Sequence, residues 1–173
     1  MPQQMESTLW AIADSRIAEE ASLMELHQIY LRANDTLGQF KVARRLFALR
    51  RDDLNSLNNM VYLGLLLDTR DAQLQLLADT LHARSATDPN HVATYAFALF
   101  RRGQAVKAAE VMAGLGPNVV RKPPMAAMQG VFLAHAGNAK GAREYLTLAT
   151  GVHLLPEEER LVNEARAMAR MIP

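Results

Sequence analysis

Apolar side chains recur along this chain at i, i+3, i+4 and i+7 in successive short blocks, the spacing that places them on one face of an α-helix. In the stretch from Val92 to Met112 the first block puts Val92, Tyr95, Ala96 and Leu99 on one face. Gly103 follows as a residue able to take positive φ at a turn, and Ala105, Ala108, Ala109 and Met112 form the second block. Asp88-Pro89 in front reads as an N-cap followed by proline at the first helical position. The stretch from Ala126 to Leu146 repeats the design: Gly103 and Gly137, Leu99 and Leu133, Ala96 and Gly130, Ala108 and Ala142, and Met112 and Leu146 each lie 34 residues apart. A fixed period of this size predicts helix pairs in tandem.

Earlier blocks extend the pattern. Gly38, Phe40, Ala43 and Phe47 read as a turn glycine and a second helix, and Ser22-x-x-Glu25 resembles a capping box that starts its partner, with Leu26, Ile29, Tyr30 and Ala33 as the stripe. Met60, Leu63, Gly64 and Leu67 predict another leading helix, and Leu74, Leu77, Ala78 and Leu81 its mate, with Asp71 in place of the turn glycine. From Pro156 onward Glu157, Glu158 and Glu159 open a helix that Arg166 and Arg170 close, signs that suit the dipole at both ends. Leu161, Ala165, Met168 and Ile172 would pack it onto the last pair.

The 34-residue pattern resembles tetratricopeptide repeats. Gly64, Ala96 and Gly130 match that family's small position, Gly38, Gly103 and Gly137 its turn, and Ala43, Ala108 and Ala142 the alanine of its second helix. Phe40, Phe47 and Tyr145 lie at or beside its aromatic positions, while tryptophan is missing from the repeats and Pro89 and Pro156 are the nearest to its prolines. The resemblance implies an all-α, right-handed solenoid of antiparallel helix pairs: a single domain over 1–173, with repeats at roughly 22–53, 54–87, 88–121 and 122–155 and a capping helix over 156–171.

The resemblance also implies a concave wall of leading helices, on which one position recurs as Leu31, Leu65, Phe97 and Val131, with Asp68, Phe100, Arg101, Ala134 and His135 nearby. Leu65, Asp68, Phe97, Phe100, Arg101, Val131 and His135 are therefore the expected contacts for a partner peptide or amphipathic helix. The alternative is that the same residues pack against neighbouring helices, because large apolar side chains are buried more often than displayed. A further alternative is a homodimer or scaffold assembled through that surface or the terminal helices. The family's carboxylate clamp maps to His27, Leu31, Tyr62, Asn90 and Thr94, and the Lys and Arg it requires are missing, which argues against a chaperone-tail adaptor.

Composition narrows the remaining classes. The chain has 173 residues, 50% hydrophobic and 21% charged, and a formal net charge of +1, so no overall field attracts nucleic acid. The basic group Lys41, Arg44, Arg45, Arg50 and Arg51 reads either as a dock for an acidic partner or as a solvated helix face beside Asp52 and Asp53. With no cysteine, scattered histidines and no phosphate-binding glycine loop, no metal, cofactor or catalytic residue is expected, and the chain is read as non-enzymatic. The apolar run Met60 to Leu67 is far short of the roughly 20 residues a membrane-spanning helix needs. No signal-peptide pattern precedes Trp10, so the cytoplasm is the expected compartment for the chain as given, unless it is a piece of a longer protein.

Overall fold

The structure is a computed structural model that describes residues 2–16, 18–67 and 71–171. Among the described residues it is all-helical, with no strand. The helices gather into two compact units, Met1–Asp68 and Thr69–Pro173. The boundary falls inside the expected repeat 54–87, whose two helices go to different units.

The first unit holds α1 (Pro2–Asp14), α2 (Glu19–Arg32), α3 (Thr36–Leu49) and α4 (Leu54–Leu66), each packed on the next. One hydrophobic cluster in it is Ala13, Leu23, Leu26, Tyr30 and Val42, with Leu9, Trp10 and Leu46 packed against it, and Leu57, Val61, Leu65 and Leu66 of α4 are buried besides. The second unit holds α5 (Ala72–Arg84), α6 (Pro89–Arg101), α7 (Ala105–Ala113), the single turn α8 (Pro117–Val120), α9 (Pro123–His135), α10 (Ala139–Leu148) and α11 (Pro156–Met171). Here α5 packs on α6, α6 on α7, α7 on α9 and α9 on α10, while α11 lies against both α9 and α10. Leu161 and Ala165 of α11 are buried as expected, and Ile172 lies outside the described residues.

Short polar caps set where the helices start. Asp35, Asp53, Asp71, Asp88 and Asn138 each accept from backbone N–H groups of the following turn, satisfying donors that have no partner inside the helix. The Asp88-Pro89 start is found as predicted. The turns are equally regular. Gly103 and Gly137 have φ of 77° and 80°, and the residue after each donates back across the helix end, Gln104 to Leu99 O at 3.0 Å and Asn138 to Leu133 O at 2.9 Å. This is the left-handed termination that glycine favours.

Two expectations for the first unit are corrected. The turn between α2 and α3 is made by Asn34 at φ 54°, with Asp35 donating to Tyr30 O at 2.9 Å, so Asn34 takes the place of Gly103 and Gly137. Asparagine tolerates this conformation better than most side chains. Gly38 instead lies in the first turn of α3, where its N–H donates to Asp35 Oδ1 at 2.9 Å. It is there for closeness, since a Cβ at Gly38 would stand 2.2 Å from Tyr30 Cδ1. Likewise α2 begins at Glu19 rather than Ser22. The acidic Glu19 and Glu20 occupy its first turn, and Ser22 is buried one turn in, its N–H bonded to Ala18 O.

Candidate functional site

Within the second unit the 34-residue correspondence has a packing cause. Ala96 and Gly130 occupy the same position on α6 and α9, and a Cβ at Gly130 would meet Leu146 Cγ at 2.6 Å. Ala108 and Ala142 are fully buried on α7 and α10, and Met112 and Leu146 are buried beyond them. Small residues at these positions let each leading helix lie close to its mate.

On this frame α6 and α9 bring aromatic rings together. Phe97 and Phe132 are completely buried, and their ring centroids lie 6.5 Å apart. Phe100, one turn beyond Phe97 on α6, is half-buried, with its centroid 5.9 Å from Phe97 and 5.3 Å from Phe132. His135, exposed at the end of α9, meets Phe100 edge-on at 4.9 Å, an arrangement favoured by the ring quadrupoles. Its Nδ1 hydrogen-bonds the Val131 carbonyl at 3.0 Å, which holds the ring back over its own helix. Arg101 follows Phe100 and is half-buried; burial first, and then the neighbouring Arg160 cation, hold its guanidinium below the usual pKa.

The expected contact residues thus divide. Phe97, Phe100, Arg101, Val131 and His135 lie on α6 and α9 of the second unit. Phe97 and Val131 are fully buried, so they underlie the surface and do not form it. Leu65 is also fully buried, on α4 of the first unit, and Asp68 lies outside the described residues. Leu31 is 42% exposed on α2. Phe132 was missed by the sequence reading. Its signal was available, because Phe97, Phe100 and Phe132 are three of only five phenylalanines and fall on α6 and α9.

The basic group of α3 is partly neutralised inside the first unit. Arg45 pairs with Glu19 and approaches Asp14 at 3.8 Å, and Arg50 pairs with Glu20. Arg44 and Arg51 lie over the rings of Phe40 and Phe47 at 5.9 and 5.1 Å. Asp53 is engaged as the cap of α4, where Ser56 donates to it at 2.5 Å. Among the described residues no three potential metal ligands gather, and no helix is long and apolar enough to cross a membrane. No protein-family model, curated protein or solved structure matches the chain.

Proposed function

We propose that this chain is a tetratricopeptide-like binding module whose second unit takes a partner segment against the Phe100–His135 edge. The observation that carries the reading is the graded aromatic stack. Two fully buried rings, Phe97 and Phe132, support a half-exposed third, Phe100, which an exposed imidazole borders. A ring held rigidly from below and open above loses little freedom when a partner covers it, which is the usual character of an interface anchor. Arg101 beside it adds a partly desolvated cation that favours a carboxylate on the same segment. The repeat reading is supported by the matching turns at Gly103 and Gly137 and the buried Ala108 and Ala142. The partner is accordingly an amphipathic helix or apolar peptide with an acidic group next to its anchor.

The test is selection of binders from a random peptide display library on the purified chain, followed by affinity measurement on variants. Phe100→Ala and Arg101→Gln are expected to weaken selected peptides about tenfold or more, as loss of an interface anchor does. Peptides that bind the Phe100→Ala chain as tightly as the parent would remove this surface from consideration. Phe97→Glu is unsuitable as a probe, because a carboxylate at a fully buried position would cost the fold itself.

A further inference from the structure

The first unit contains a cleft of about 620 Å³ that the partner-binding reading does not use. Its walls differ in chemistry. On one side stand Glu6 and Trp10 of α1 and Tyr30 of α2; on the other, Lys41, Arg44 and Arg45 of α3. The three cations recur at i, i+3 and i+4, so α3 presents them on one face.

The aromatic wall is fixed by its own hydrogen bonds. Trp10 Nε1 donates to Tyr30 Oη at 2.9 Å, and Tyr30 Oη donates to Glu6 Oε1 at 2.5 Å. The only carboxylate in the lining is therefore already engaged, and it belongs to α1. On the cationic wall Arg45 is taken by Glu19 and Asp14. Among the described residues neither Lys41 nor Arg44 is ion-paired, and both are exposed. The Arg44 guanidinium lies 5.9 Å from the Phe40 ring centroid. The cleft thus brings the half-buried Trp10 ring and the little-exposed edge of Tyr30 together with two exposed, unpaired cations, in a volume suited to a small molecule.

We propose that this cleft binds a small aromatic anion, its ring against Trp10 and Tyr30 and its phosphate or carboxylate between Lys41 and Arg44. Glu6 sets the orientation, because an anionic group turned toward α1 would meet a like charge. Inorganic phosphate supplies only half of this recognition, and an uncharged ring only the other half.

Trp10 is the only tryptophan of the chain, so its emission reports on the cleft without background. Phenyl phosphate titrated into the full chain is expected to change that emission saturably, with calorimetry giving the same affinity. Inorganic phosphate and benzyl alcohol should each bind at least about tenfold more weakly, since tenfold is about the loss of one modest interaction. Lys41→Gln and Arg44→Gln should each weaken phenyl phosphate by about tenfold. Arg50→Gln, which breaks the pair with Glu20 outside the cleft, should leave it unchanged. All three positions are exposed, and unchanged helix content and melting temperature confirm the fold of each variant. A phosphotyrosyl peptide forms the second arm: tighter binding than phenyl phosphate, with the same dependence on Lys41 and Arg44, assigns the aromatic anion to a peptide side chain, and equal or weaker binding assigns it to a free molecule. The proposal is overturned if no aromatic anion saturates by about 10 mM, weaker than ordinary specific binding, or if the Lys41 and Arg44 variants bind as the parent does.

Discussion

At the scale of single residues, two glycines that look alike in sequence do different work, and substitution separates them. Gly103 has φ of 77° and open space around the missing Cβ, so Gly103→Ala carries only the strain of a left-handed alanine, about 1 kcal/mol. Gly38 has no such φ, and its Cβ would press into the Tyr30 ring, which Trp10 and Glu6 hold in place. Gly38→Ala is expected to cost about 2 kcal/mol as an overpacking change. A Gly38→Ala, Tyr30→Ala double variant should lose less than the two single variants together, measured by urea denaturation. Asp53 gives a pH-dependent case. The Ser56 hydroxyl, against an opposing effect of burial, lowers its pKa from the ordinary 3.8, with help from the N–H groups of Asn55 and Ser56. A carboxyl more acidic in the folded state stabilises the fold above its unfolded pKa, and that contribution disappears as pH falls through the lowered value. Near neutral pH Asp53→Ala should lose about 1 kcal/mol, typical of an N-cap. Denaturation curves of parent and variant should then converge as pH drops below 3.8.

At the scale of elements, α5 is held to α6 by the stacked rings of His82 and Tyr95, their centroids 4.1 Å apart, and by the hydrogen bonds of one side chain. Arg102, at the end of α6, donates to both carboxylate oxygens of Asp79 at 2.9 Å and to the side chain and backbone oxygens of Gln75 at 2.7 Å. The guanidinium fork makes these bonds together, and lysine cannot reproduce them. Arg102→Lys should therefore raise amide hydrogen exchange across α5 while leaving α9 and α10 unchanged. Equal protection in the variant would mean that Leu74, Ala78 and Leu81, all buried on α5, hold the helix without it. Helix positions of this kind were readable in the sequence because periodicity and caps act locally: the Asp88-Pro89 start, the Gly103 and Gly137 turns and the start of α11 all follow from neighbouring residues. What was misread depends on contacts distant in sequence. Gly38 looks like a turn glycine until Tyr30 is seen against it, and Ser22 like a cap until its burial inside α2 is known. The candidate site divides in the same way. A helical stripe tells which of Phe97, Phe100 and Val131 share a face, but not that Phe132 would cover Phe97 and leave Phe100 partly open. The cleft of the first unit was legible only as a run of basic residues, because its aromatic wall comes from α1 and α2.

At the scale of the whole molecule, the division into two units gives the first a reporter of its own. Trp10 belongs to the core of the first unit, so tryptophan emission follows that unit alone, whereas far-ultraviolet circular dichroism follows every helix and is weighted toward the seven of the second. A smaller folded unit buries a smaller share of its chain and has less to set against conformational entropy. The first unit, Met1–Asp68, is the smaller. Urea is therefore expected to unfold it first, with the fluorescence midpoint at lower denaturant than the dichroism midpoint, a failure of the coincidence that two-state unfolding requires. Gly38→Ala sharpens the test, because its damage lies entirely within the first unit. With separable units the substitution moves the fluorescence curve and leaves the larger dichroism step in place. If both curves shift together and remain superimposed, the two units unfold as one cooperative block, and stability lost around Tyr30 is felt equally by the aromatic stack of α6 and α9.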